Sequence, residues 1–275
     1  MQDNTSGGIK PYVRGIKSMR EFFSASTPCS SGCQYCFAKW GNKHTEFLQA
    51  DSTQRVEDGT IVYPCCDGEF LRQQRYIECM RDFSHKSKKV YFSISTKQSI
   101  ADEEIARIGE FDRELRSTNR GFVKLAISIS NISMLEEIEP GTISYLQRLE
   151  LAEKIQKEGI FFSLTIKPIL PFIQTEEYRT IIKDFSRYTK YFLLGGLYVN
   201  KETEFYSRYI SPNTKIIRRV VSWLPDHPVW DYVEDEAQFR QIREYAEQIG
   251  NLIFDSDEQL INYYIGQGAG LWKPS

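Results

Sequence analysis

The sequence predicts an α/β fold, an open or partial (β/α)6 barrel of the TIM type with a short, more helical C-terminal extension. Short apolar runs rich in β-branched and aromatic residues alternate with longer segments of helical period, as repeated βα units around a parallel sheet require. The residues after these runs are unusually polar, and in such sheets working groups gather where strands end and loops begin. At 275 residues the chain has a length at which α/β barrels form one large unit.

In order, strands are expected in EFFSAS (21–26), TIVYPC (60–65), KVYFSIS (89–95), FVKLAISIS (122–130), IFFSLTIKP (160–168) and YFLLGGLYV (191–199). Helices are expected near 69–83, 101–117, 144–158 and 175–188. Ser144 followed by Gln147 reads as a capping box, and Gly159 sits where a helix would stop. Six units fall short of the eight that close a barrel. After residue 200 the pattern turns more helical, with a short apolar run at 252–254 and a glycine-rich tail, GQGAGLWKPS. The expected organisation is a lead-in over 1–20, a barrel over 21–200 and an extension over 201–275 that completes or caps it. The strand ends read Cys65-Cys66-Asp67-Gly68-Glu69, Ser95-Thr96-Lys97, Ser128-Ile129-Ser130 and Lys167-Pro168.

A composition of 41% hydrophobic and 26% charged residues is that of an ordinary globular protein, and a net charge of -2 supplies no global basic field. The start, MQDNTSGGIKPYVRGIK, has no apolar core of the signal-peptide kind, and no run approaches the roughly 18 apolar residues of a membrane span. The expectation is a cytoplasmic protein without a membrane partner. Thiols stay reduced in that compartment, so clustered cysteines point to a metal or to catalysis before disulfides. All six cysteines lie in the first third of the chain, where they cannot staple the rest.

Three of the six fall within STPCSSGCQYCFAKW (26–40), as Cys29-x3-Cys33-x2-Cys36. A structural zinc site needs four ligands, and His44 is a candidate fourth; that gives one expectation, a zinc-stabilised α/β binding protein. An iron-sulfur cluster with three thiolates and one open iron gives the other. The loop, with Tyr35 before its last cysteine and a strand before its first, resembles the cluster loop of radical S-adenosylmethionine (radical SAM) enzymes. Residues 127–171, with Glu139-Pro140, Arg148-Leu149 and Pro168-Ile169-Leu170-Pro171, are similar to the spore photoproduct lyase-like branch, and SWLPDHP (222–228) is a weaker echo of it.

The resemblance implies one 4Fe-4S cluster on Cys29, Cys33 and Cys36, with S-adenosyl-L-methionine (SAM) on the open iron. It also implies an electron donor such as flavodoxin or ferredoxin. Reductive cleavage would yield a 5′-deoxyadenosyl radical that takes a hydrogen atom from a substrate, whether a nucleic-acid lesion, a peptide or a small metabolite. For the cofactor's amino group the resemblance points to Asp67-Gly68-Glu69, where the family often has Gly-Gly-Glu. For its carboxylate it points to Lys97, with Arg148 the other candidate cation. Ser128 and Ser130 suit the ribose, and Tyr35 the adenine. The bland alternatives are a helix N-terminus for Asp67 or Glu69, a solvated helix residue for Arg148, and turn chemistry with Asn131 for the serines. Cys65 or Cys66 is the expected hydrogen donor to a product radical, against a core-packing role, whereas Cys79 reads as core. The remaining cysteines have no spacing for a second cluster.

Overall fold

Val90–Thr96 and Gly121–Ile129 form the centre of the sheet, two β-branched and aromatic runs paired in parallel over seven residues, from Val90 opposite Gly121 to Thr96 opposite Ile127. The structure, a computed structural model, describes residues 19–25, 27–40, 44, 46–47, 56–72, 75–224 and 226–268. Most of the expected lead-in, the end of the glycine-rich tail, Ser26 and Pro225 lie outside the described residues. Around the central pair stand β1 (Arg20–Phe22), β2 (Thr60–Tyr63), β3 (Val90–Thr96), β4 (Gly121–Ile129), β5 (Phe161–Ile166) and β6 (Tyr191–Leu194). All neighbours in this sheet are parallel.

Helices return the chain between strands: α1 (Tyr76–Lys86), α2 (Asp102–Ser117), the single turn α3 (Leu135–Ile138), α4 (Tyr145–Glu158) and α5 (Thr175–Phe185). The capping box at Ser144 and Gln147 forms as expected, and Gly159 ends α4 with a φ of 77°. The helix expected at 69–83 is broken instead into a 3-10 turn at Phe70–Arg72 and α1.

The run 191–199, expected as one strand, is two. After β6 the chain leaves the sheet at Gly195-Gly196 and enters β7 (Leu197–Val199). A Cβ on Gly196 would lie 2.4 Å from the Val233 carbonyl oxygen, so only glycine lets the backbone pass there. Then follow α6 (Glu204–Tyr209), β8 (Ile216–Val220), β9 (Val229–Val233), α7 (Glu236–Gln248), β10 (Leu252–Phe254) and α8 (Asp257–Gly266). β7, β9 and β8 make a small antiparallel sheet. β10 pairs with β6 and makes a seventh strand, so among the described residues the order is β1-β2-β3-β4-β5-β6-β10, open between β1 and β10.

Alternation along the strands gives the sheet two different faces. Val123, Leu125, Ile127 and Ile129 of β4 join the helices in the main core, with Ile105, Ile108, Phe111 and Leu115 of α2. Each such fully buried side chain contributes roughly 1.5–3 kcal/mol. The other, concave face starts with a floor of Ile61, Tyr91, Phe122, Phe161, Leu193 and Phe254, closed by Leu260 and Ile261 of α8; Tyr264 stacks on Phe161 at 3.6 Å. Beyond the floor, toward the strand ends, this face turns polar, with Ser93, Ser95, Lys124, Ser128, Ser163, Thr165 and Lys167. Ser95 is exposed although its strand neighbours are buried, so solvent reaches this face, the lumen side of the barrel, near the strand ends. No helix among the described residues is long and apolar enough to cross a membrane.

Candidate functional site

Cys29, Cys33 and Cys36 lie in the loop that follows β1, at the end of the sheet where the parallel strands finish. Backbone bonds fasten this loop to the one after α3: Gln34 N–H donates to the Ile138 carbonyl at 2.9 Å, and Gly141 N–H to the Ser31 carbonyl at 2.9 Å. Gln98 bridges the two, donating to Ser31 Oγ at 2.9 Å and to the Gly141 carbonyl at 2.7 Å. Arg72 donates to Ser30 Oγ and to Gln98 Oε1, both at 2.7 Å. A Cβ on Gly141 would stand 2.7 and 2.8 Å from the carbonyl oxygens of Ser30 and Ser31, so the two loops meet backbone to backbone.

The three thiols share one electrostatic environment. Burial pushes Cys33 up to about 11, with Lys97 opposing and Glu139, Cys36 and Cys29 adding to the rise; burial also raises Cys36. Among the described residues no three His, Cys, Asp or Glu side chains converge on a point that could hold one metal ion. His44 stands beside Phe22, with ring centroids 6.1 Å apart, and among the described residues no group joins it with the cysteines. Gly68 lies close against the loop, since a Cβ there would meet Cys65 Sγ at 3.3 Å, Ala25 Cβ at 3.5 Å and Cys29 Cβ at 3.7 Å. Three thiols on one loop, with no single-metal site formed among the described residues, fit a cluster in which each thiolate takes its own iron.

Behind the loop, Glu139 is the hub. Its side chain has no exposure and forms ion pairs with Arg148 at 2.8 Å and with Lys97; the Tyr35 hydroxyl also donates to it. Lys97 donates to Tyr35 Oη at 2.5 Å, and its ammonium stands 5.2 Å from that ring's centroid. Burial favours the protonated acid, but the Lys97 and Arg148 charges outweigh it and hold Glu139 down at about 2. Beyond the Glu139-Pro140 resemblance, sequence reasoning assigns this carboxylate no role, since a loop glutamate carries no periodic signal.

Several expected contacts change accordingly. Arg148 has no exposed side-chain surface and spends its guanidinium on Glu139, the Ser128 carbonyl and Thr142 Oγ1, so it cannot reach a ligand in the lumen. Lys97 keeps 14% of its side chain exposed and is the accessible end of the triad. Tyr35 turns its hydroxyl inward to Glu139 and packs edge-on against Phe205 of α6, so its hydroxyl is spent on the hub. Ser130 is fully buried and accepts from Asn131, whose Oδ1 accepts from Met134 N–H; this is turn chemistry, not a ribose contact. Ser128 lies on the concave face at 7% exposure.

At the end of β2, Glu69 accepts from Thr96 Oγ1 at 2.8 Å and from Lys97 N–H at 2.9 Å, tying two strand ends together. Asp67 Oδ1 accepts from Ala25 N–H at 3.4 Å and from Cys65 Sγ at 3.6 Å. Neither carboxylate caps α1, which begins at Tyr76. Cys65 is buried beside Gly68 and Cys29, whereas Cys66 is half-buried; burial raises both thiols well above their ordinary range, so both keep their hydrogen at neutral pH. Cys79 packs in α1 against the core.

On the outer side, Phe37 and Trp40 follow Cys36 directly and meet the small sheet. Phe37 stands 5.5 Å from Trp223 and 6.2 Å from Trp230, and Trp40 lies 5.0 Å from Trp230.

No protein-family model matches the sequence, and no curated protein sequence matches it. Among solved structures, a spore photoproduct lyase variant superposes with a TM-score of 0.57 at 17% identity, over 84% of this chain and 75% of that one. Another variant, with AdoMet and dinucleoside spore photoproduct bound, gives 0.56 at 15% identity, over 87% and 76%. Streptococcus suis SuiB gives 0.52 at 11% identity, over 87% of this chain and 49% of that one. The chain therefore has the spore photoproduct lyase-like fold, the partial barrel of radical SAM enzymes.

Proposed function

We propose that the chain is a radical SAM enzyme holding one 4Fe-4S cluster on Cys29, Cys33 and Cys36. The observation that carries this is the cysteine loop itself: three thiols on one loop, with no fourth metal ligand converging on them among the described residues, pinned at the strand ends of the barrel close to Gly68 and Cys65. When bound, cluster and cofactor supply an electron from an external donor of the flavodoxin or ferredoxin kind and a 5′-deoxyadenosyl radical that takes a hydrogen atom.

The chain's residues do the rest. Lys97 pairs with the cofactor's carboxylate: with Arg148 it sets two cations against Glu139, so the triad retains one positive charge, reachable through Lys97. Asp67, beside Cys65, accepts from the amino group, while Glu69 fixes the strand ends around it. Ser128 faces the ribose. Cys65 and Cys66 stay protonated and carry a hydrogen to give, which a thiolate would not. The lumen receives the substrate, whether nucleic acid, peptide or small molecule.

Protein purified without oxygen should be brown, bleach with dithionite and cleave SAM when reduced. Alanine at Cys29, Cys33 or Cys36 should abolish all three properties, while His44→Ala should leave them intact. A colourless wild-type protein with one zinc per chain would sink the proposal.

A further inference from the structure

The lumen holds a second group of charges, separate from the Glu139 hub. Lys124, in the middle of β4 and 1% exposed, pairs with Asp257 at the start of α8, and Ser93 of β3 donates to the other oxygen of the same carboxylate. Lys167, directly after β5, lies across Gly195: a Cβ there would stand 2.7 to 2.9 Å from Lys167 Cε, Cγ and Cδ. Glycine thus leaves the channel through which this side chain runs over the end of β6 toward β10.

Lys167 has one hydrogen-bond acceptor, the Asp255 carbonyl at 3.1 Å, and among the described residues no carboxylate pairs with it. Asp257 is taken by Lys124, and the Asp255 carboxylate by Arg243. Lys167 is half-buried, and an ammonium with spare donors there is met most favourably by an anion. On the same face of β5, the Ser163 hydroxyl is fully buried and has no hydrogen-bond partner among the described residues. Lys124 and Lys167 against Asp257 leave a net positive charge in this part of the lumen.

We propose that this polar layer is the substrate's anchor: Lys167, backed by Lys124 and Ser163, takes an oxyanion, a carboxylate or a phosphate, on the molecule that enters the lumen. The inference rests on the lumen being the substrate chamber of the function proposed above. It makes the substrate acidic and places its acidic end toward the floor, leaving the other end near the cysteines.

The test is equilibrium binding of two probes, inorganic phosphate and succinate, to the full-length protein purified without oxygen, by calorimetry. At least one probe should bind with a dissociation constant of roughly millimolar order, and the tighter of the two identifies the kind of oxyanion. Lys167→Met should weaken that binding at least tenfold while the urea midpoint holds or rises. Lys215→Gln, at an exposed lysine of the outer surface, should change neither. Binding unaffected by Lys167→Met, or no binding of either probe to the wild-type protein, overturns the anchor. Iron content of the same sample separates the two proposals: brown protein that binds neither probe refutes only the anchor. Colourless protein that binds one probe through Lys167 refutes only the radical chemistry.

Discussion

Glu139 carries two opposite demands in one side chain. Its carboxylate is sealed from water, and the two cations that make its charge tolerable depend on it for theirs. Removing one partner of such a buried group leaves uncompensated charge, so Glu139→Gln should cost about 3–5 kcal/mol at neutral pH, read from urea denaturation. The acid's folded value is depressed from 4.5 to about 2, so its contribution is complete above 4.5 and is lost as pH falls from there toward 2. The wild-type protein should therefore lose its advantage over the variant across that interval; a constant difference would place the cost in packing instead. The adjacent thiols pose a different question. If Cys65 or Cys66 returns hydrogen to a product radical, its alanine variant should keep the cluster and SAM cleavage but release altered products. If either only packs, truncation should cost about 1 kcal/mol and leave the product unchanged.

At the joint between the cysteine loop and the loop at 138–141 backbone meets backbone, which explains why Gly141 has no room for a side chain. Gly141→Ala should push the cysteine loop outward, lowering bound iron several-fold while far-ultraviolet circular dichroism stays near that of the parent; full iron loading would show that the joint does not hold the loop. Elements of this kind divide what a sequence discloses from what it conceals. Strands β2 to β6 were legible because burial on both faces makes near-continuous apolar runs, and α4 because both of its caps are written in side chains. The break at Gly195-Gly196 was not, since two glycines in an apolar run fit a bulge as well as an exit. The grouping of Cys29, Cys33 and Cys36 on one loop after β1 was legible from spacing. The fates of Arg148 and Tyr35 were not, because each depends on Glu139, which reaches them only once the chain has folded. Lys124 left a trace, a lone charge inside FVKLAISIS, that its neighbours gave no reason to interpret.

Across the whole molecule, chemistry is layered along the lumen. Aromatic side chains and α8 close the floor, a lysine-bearing layer lies above it, and the cysteines sit where the strands end. The C-terminal segment is built into that order, since β10 extends the sheet and Asp257 neutralises a lysine from its centre. The aromatic group on the outer side has a use of another kind. Of the chain's four tryptophans, Trp40, Trp223 and Trp230 gather around Phe37, next in sequence to Cys36, and Trp272 lies outside the described residues. Indole emission overlaps the broad absorption of an iron-sulfur group, so these rings should act as donors for energy transfer to whatever the cysteines hold. Reconstitution with iron and sulfide should dim the protein's fluorescence in step with loading, and alanine at Cys36 should abolish the change. Unaltered emission at full loading would place the cluster too far from the indoles for this loop to be its seat. The chain thus carries its own optical gauge of cluster assembly, readable without a substrate.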